Sequence, residues 1–428
     1  MKQKFISNLF FLILANVIIK PFWIFGIDRH LQNSINTSDY GAYFAVFNFS
    51  FLLHIILDGG INNFNNIEVS RDASYLKKNL SNLFYLKLIL SFVYLLVTFS
   101  IVCFTSYDTN QIQMLFALMI NMILLNLILF FRSNVAALQY FKTDSLLSVL
   151  DRFLAIVFCV LLIVFHQFSL FNFIYAQTLA LFISLLVSVY VVYIIGQPTL
   201  HPFNKNHLLD ILKESYPFAI LGVLMSIYYR IDAVMIEQLL PNGKEQAGIY
   251  AASYRLLDAL NMIAFLVASL LLPLFSKSIK HREIHHLKKL VLFASGILLC
   301  MSVFVFVVAY FQSNWIMTHL YKHATSSWSE VFWVLLFSFI PISLTYVFGT
   351  FLTANKNLYY LNIISLIALI INVILNFVLI PKQYALGACI ATGVTQVFVV
   401  CLQIVYVLYI LYFKPEKLKY ETTVTTIS

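Results

Sequence analysis

Charge is what this 428-residue chain has least of. Only 11% of its residues are Asp, Glu, Lys or Arg, 61% are apolar, and mean hydropathy is +0.88. Water-soluble domains are typically about half apolar and a quarter charged. The chain therefore lacks the polar surface that water demands, which excludes an ordinary soluble domain. Cysteine is sparse too. Cys103, Cys159, Cys300, Cys389 and Cys401 all fall inside apolar runs with no paired spacing, which argues against a disulfide framework or a zinc site. Also missing are a glycine-rich phosphate loop, a nucleophile elbow, a triad pattern and an ATP-binding motif, so the chain does not read as an enzyme. His281, His285 and His286, like His319 and His323, have helical i, i+4 spacing but no accompanying carboxylates, and read as solvated loop histidines rather than metal ligands.

What the chain has is long apolar runs. A bilayer core about 30 Å thick takes roughly 20 apolar residues per helix. About twelve such windows recur: 5–27, 41–60, 80–103, 111–131, 145–165, 170–195, 214–238, 247–274, 287–312, 328–352, 357–380 and 386–413. They are continuous rather than alternating, which favours helices over barrel strands. The expected fold is an all-α polytopic membrane protein with short connections. The first run lacks a cleavage site and reads as a retained helix. With odd-numbered spans running outward, 18 Lys and Arg fall on the inner side and 4 on the outer. That is a strong positive-inside bias. It places both termini in the cytoplasm and assigns the net charge of +9 to the membrane rather than to nucleic acid.

Five cations remain within spans: Lys20, Lys87, Arg152, Arg230 and Arg255. Asp58, Asp151, Asp232 and Asp258 join them. A charge at mid-membrane costs on the order of 2.5–3.5 kcal/mol even on the lenient insertion scale, so such groups pair or face a wet cavity. Asp58 and Lys87 lie near expected cytoplasmic ends, where a lysine can snorkel, and Asp151–Arg152 reads as a shallow pair. Arg230, Asp232, Arg255 and Asp258 sit deeper, on two consecutive spans. Arg255 and Asp258 share a helix face; Arg230 and Asp232, two apart, do not. A purely structural bridge such as Asp232–Arg255 competes with a lumen-facing role. Tyr228, Tyr229, Tyr250 and Tyr254 surround the cluster, as interfacial belt residues or as platforms for sugar rings. Asn16, Asn261, Asn372 and Asn376 are candidate polar lumen groups, with helix–helix hydrogen bonding as the plainer role.

The halves are weakly duplicated. "YGAYFAVFNF" (40–49) and "AGIYAASYRL" (247–256) align Gly41 with Gly248 and Tyr43 with Tyr250 at an offset of 207 residues. This divides the chain into six-span halves, 1–200 and 201–428, and parallel repeats are common in transporters. "YRIDAVMIEQLLPNGKEQAGIYAASYRLLDAL…LLPLFSK" (229–277), "INVILNFVLIPKQYALGACIATGVTQ" (371–396) and "LDGGINNFNNIEVSRD" (57–72) resemble polysaccharide exporters of the multidrug/oligosaccharidyl-lipid/polysaccharide (MOP) superfamily, nearest the Wzx-type O-antigen or capsule repeat-unit flippases. The resemblance spans essentially the whole chain. It implies two six-helix bundles forming a V around a central lumen, as in MATE-type transporters. It implies movement of an undecaprenyl-pyrophosphate-linked oligosaccharide from the cytoplasmic to the periplasmic leaflet of the bacterial inner membrane. Asp232, Gly248, Tyr250 and Arg255 fall on the family pattern, and Arg230 matches a basic residue often placed before that aspartate. The Asn-rich run after Gly59-Gly60 departs from it.

Such a cargo needs cations for its diphosphate and polar or aromatic groups for its sugars, while its tail stays in lipid. Arginine suits phosphate because its planar fork donates two hydrogen bonds at once. The expected substrate-facing residues are Lys20, Arg152, Arg230, Asp232, Tyr250, Tyr254, Arg255 and Asp258. Asp58, Asp232 or Asp258 would bind a coupling H+ or Na+, and no other cofactor is expected. The partners expected are the lipid-linked sugar, membrane lipid and a polymerase of the same pathway, with the chain a monomer. The alternatives are an ion-coupled drug exporter of the same fold, which favours acids over arginines, and a membrane polymerase or ligase, which needs a larger outer loop.

Overall fold

The computed structural model describes residues 18–415 except 20, 198 and 200–204, together with 418. Among these, every regular element is helical. A π-helical segment Trp23–Asp28 leads into α1 (Arg29–Ser34) and α2 (Thr37–Leu52). The short α3 (Ile55–Asp58) and α4 (Ile61–Arg71) complete the same crossing. Next come α5 (Ala73–Val102), α6 (Thr109–Ala137), α7 (Phe141–Val164) and α8 (Leu170–Gly196), then α9 (Lys205–Leu239) and α10 (Gly243–Lys280). α11 (Ile284–Leu320), α12 (Ser326–Phe337), α13 (Phe339–Ala354) and α14 (Leu358–Leu408) end in a π-helical turn, Tyr409–Phe413.

Polar residues between the apolar runs start these helices. Asp72 caps α5 by accepting from the Ser74 amide at 2.9 Å. Asp108 and Gln111 form a reciprocal capping box at α6, satisfying donors that a helix start leaves open. Ser169 caps α8 through the Asn172 amide.

Nine helical stretches among the described residues are long and apolar enough to cross a membrane. The last, Leu358–Phe413, leaves helical geometry at Tyr384 (φ 55°, ψ −138°). Its two arms lie side by side, with Tyr360 stacked on Tyr406 at 3.8 Å, so it supplies two spans. α9 holds the expected run 214–238, and the run 5–27 lies mostly outside the described residues. Large apolar side chains such as Phe92, Phe104, Leu292, Phe293 and Phe311 are exposed, as lipid-facing residues are. The protein is a multi-pass membrane protein.

The chain forms two compact units, Met1–Gly248 and Ile249–Ser428. Within the first unit, α9 lies along α2. The first unit's core gathers Leu76, Leu83, Phe130, Phe131 and Val135; the second's gathers Phe275, Leu298, Phe351 and Val407.

Glycine shapes the backbone of the first unit at two places. Gly59 and Gly60 both adopt left-handed conformations, φ 54° and 75°, which glycine reaches without steric cost. They break the crossing between α3 and α4. The Asn-rich run beyond them is helical, with Asn65 donating to Asn134 at 2.8 Å and Asn66 to the Ser133 carbonyl at 3.0 Å. At the other end of the unit, the glycines aligned by the sequence duplication face each other. A Cβ on Gly41 would stand 2.5 Å from the Gly248 nitrogen, and one on Gly248 2.7 Å from Thr37 Cγ2.

Candidate functional site

Arg230 on α9 reaches α2. Its Nη1 donates to Asn48 Oδ1 at 3.2 Å, and its guanidinium lies 4.7 Å from the centroid of the Phe51 ring. Asn48 is held by its own donation to the Phe44 carbonyl at 2.7 Å, which leaves its oxygen for the arginine. Phe51 in turn stacks on His54 at 5.3 Å. A cation over a ring gains about 0.5–2 kcal/mol, but it leaves the N–H groups unspent. Of five guanidinium donors, Arg230 uses one toward the described residues. Among the described residues no carboxylate lies within ion-pair distance of it.

Phe51 also lines a cavity of about 50 Å³ with Asn121, Asp151, Arg152 and Gln177, room for roughly three waters at about one probe sphere each. Arg152 stands 5.1 Å over Trp23 and 3.9 Å from Asp151 Oδ2, a long ion pair. The expected shallow pair is thus part of a polar cavity wall. Asn121 Oδ1 is buried there without a hydrogen-bond partner among the described residues.

The other expected site residues divide. Asp232 is buried. Arg255 and Asp258 are half-buried on α10, in the second unit. Tyr250 and Tyr254, in the same unit, are buried and stack on each other at 5.5 Å, which covers the ring faces a sugar would use. Lys20 and Asn16 lie outside the described residues. Asn376 donates to Asn372 at 3.1 Å, both buried. Asp58 accepts from Lys87 at 2.9 Å. The expectation that Lys87 snorkels is corrected: it is 1% exposed, because the break at Gly59-Gly60 offers its ammonium oxygens inside the protein.

The sequence reading missed Asn48, Phe51, Asn121 and Gln177, whose signal is a polar group within, or a ring beside, an apolar run. It also missed Glu237, at the end of α9. This carboxylate is 8% exposed, accepts from Gln111 at 2.9 Å and from Gln238, and lines an open pocket of about 540 Å³ with Ser38, Ser106 and Lys244. Burial, and then Glu237, push the Tyr107 phenol well above its ordinary range. Beside it, Lys244 donates to Asp108 at 2.6 Å. That bond, with the Gln111 amide, holds the Asp108 carboxyl below the usual carboxylate range.

This is a helical membrane fold with arginines set among its apolar helices. Residues 5–279 match the family described as polysaccharide biosynthesis protein, and the chain belongs to that family. Among solved structures, it is similar to the lipid II flippase MurJ in an inward closed conformation, with TM-score 0.71 and 17% identity over 94% of this chain and 87% of that one. An inward-facing multidrug-resistance MATE transporter of the MOP superfamily gives 0.71 and 13% over 94% and 99%. A MOP transporter from Pyrococcus furiosus, described as having a binding pocket of reverse polarity, gives 0.63 and 13% over 94% and 96%. At these identities the likeness establishes the fold. No curated protein matches.

Proposed function

We propose that the protein moves an undecaprenyl-pyrophosphate-linked oligosaccharide from the cytoplasmic to the periplasmic leaflet of a bacterial inner membrane by alternating access. Both termini are cytoplasmic in this reading, and a polymerase of the same pathway consumes the product. The observation that carries it is Arg230: a half-buried membrane arginine with, among the described residues, one hydrogen bond and no acidic partner. A buried cation is costly when uncompensated, and a diphosphate passing beside α2 and α9 supplies the compensation. Asn48 and Phe51 hold the guanidinium in place without neutralising it. Arg152, with Asn121 and Gln177, offers a second basic and amide-rich surface to the same head group. Arg255 on α10 is assigned a substrate-facing role of its own.

A drug exporter for cations is disfavoured because its path would be led by acids, whereas here the half-buried charges around Phe51 are two arginines, Arg230 and Arg152, against one acid, Asp151. Coupling to an H+ or Na+ gradient is assigned to Asp232 or Asp258, since Asp58 is engaged by Lys87. In proteoliposomes, Arg230→Ala and Arg255→Ala are expected to lose translocation of a labelled lipid-linked oligosaccharide while folding normally, and lysine at either position to restore it in part. Wild-type flux in both alanine variants would demote the two arginines to scaffold. Flux indifferent to imposed pH and sodium gradients would remove the coupling role of the carboxylates.

A further inference from the structure

We propose that the first unit contains a monovalent-cation cradle whose occupant is the chain's own Lys87 ammonium, and that removing the ammonium uncovers a site for a free alkali cation. The break at Gly59-Gly60 builds the cradle. With both glycines left-handed, the Asn62 amide turns to Asp58 Oδ1 at 3.3 Å. The Leu57 and Asp58 carbonyls accept instead from Lys87 Nζ, at 3.3 and 3.4 Å. Asp58 Oδ1 at 2.9 Å and Asn126 Oδ1 at 3.0 Å complete the shell.

Four oxygens thus surround one nitrogen: two backbone carbonyls, a carboxylate and an amide. Such hard oxygen donors are what alkali and alkaline-earth cations take. An ammonium has three protons, so four acceptors exceed its directional capacity, whereas a spherical cation has no such limit. Asn126 turns its oxygen to the ammonium, and its Nδ2 has no hydrogen-bond partner among the described residues; the positive charge sets that orientation. The shell carries one formal negative charge, from Asp58. A monovalent cation neutralises it, while a divalent one would leave a buried net charge, which is costly. At 2.9–3.4 Å the shell has hydrogen-bond dimensions and suits potassium or rubidium better than the smaller lithium or sodium.

In the wild-type chain the site is therefore filled by a tethered cation, and Asp58 does not take up a coupling ion in this conformation. The inference stands apart from the proposed cargo, because its test reads cation binding and not transport.

The experiment measures thermal unfolding of the full chain in nanodiscs of neutral lipid, with choline chloride exchanged for lithium, sodium, potassium, rubidium or ammonium chloride at constant ionic strength. The proteins are wild type, Lys87→Ala and the double variant Lys87→Ala with Asp58→Asn. Lys87→Ala is expected to melt well below wild type in choline. Potassium or rubidium should return roughly half or more of the loss, saturably, as a ligand bound only by the folded state does. Wild type and the double variant are expected to show no difference between potassium and choline. Rubidium should appear by anomalous scattering beside Asp58 and Asn126 in crystals of Lys87→Ala. The proposal is overturned if no alkali cation raises the melting temperature of Lys87→Ala, or if ammonium alone does. It is equally overturned if the double variant responds to the same extent, or if Lys87→Ala fails to fold in potassium while the double variant folds.

Discussion

Replacing Gly41 with alanine adds one methyl group where α2 meets the start of α10. The new Cβ would lie 2.5 Å from the Gly248 nitrogen, and nearer still to the Lys244 carbonyl oxygen. Ordinary carbon contacts begin at about 3.5 Å, so the two backbones must part by about 1 Å or more. Neither neighbour is a side chain that can swing away. Overpacking of this kind costs about 1–3 kcal/mol. For a unit near 250 residues that is about 2–4 °C of melting temperature per kcal/mol. Gly248→Ala meets Thr37 in the same way and should cost a similar amount. Gly296, in α11, provides the control, because nothing stands within 4 Å of its added Cβ. Gly296→Ala should be neutral, or stabilising by about 0.5–1 kcal/mol from reduced backbone entropy. The assay is thermal unfolding of the three variants in detergent beside wild type. If Gly41→Ala and Gly296→Ala melt alike, α2 and α10 do not approach as described, and the reasoning fails.

Other expectations are as direct. Asp108, with its carboxyl lowered by Lys244 and the Gln111 amide, contributes stability that is present above its unfolded value of about 3.8 and lost as pH falls through the lower folded one. Unfolding midpoints measured from pH 6 to pH 3 should fall less steeply in Asp108→Asn than in wild type, by a small margin suited to a half-exposed pair; parallel curves would remove Asp108 from the acid response. Glu237→Leu leaves the Gln111 amide without its acceptor and should cost about 1–3 kcal/mol in urea-induced unfolding, whereas Glu237→Gln should cost less; equal losses would contradict the hydrogen-bond assignment. Phe51→Leu removes the ring beneath Arg230 and should weaken binding of the lipid-linked diphosphate by roughly threefold to tenfold if the ring holds the guanidinium with about 0.5–1.5 kcal/mol; unchanged affinity would make the ring incidental.

Much of the fold was legible because hydrophobicity over about 20 residues is a bulk property, indifferent to side-chain detail. That is why the apolar runs among the described residues coincide with helices. Gly41 and Gly248, which the sequence matched only by spacing, are a pair at which two backbones approach closely. Side-chain partners were not legible, since they depend on how helices rotate against one another. Lys87 looked like a snorkelling lysine because its depth was readable and its direction was not. Only two adjacent glycines at positive φ, which turn the Leu57 and Asp58 carbonyls inward, make burial its better choice. Tyr250 and Tyr254, one turn apart, read as interfacial belt residues or as sugar platforms, and in this conformation they pack on each other. Asn48 was hidden beside Ser50 in the otherwise apolar "FAVFNFSF", although a lone asparagine in such a run is the kind of group that orients a buried arginine.

The measurement closest to the cargo assignment is a double-difference binding experiment. The affinity of wild type and Arg230→Ala is measured for an undecaprenyl-pyrophosphate-linked oligosaccharide and for the same sugar and tail joined without the diphosphate. Wild type should prefer the diphosphate form by about tenfold or more, the equivalent of one or more charge-assisted hydrogen bonds, and Arg230→Ala should lose most of that preference while binding the neutral form unchanged. An undiminished preference in Arg230→Ala would contradict the assignment of Arg230 to the head group.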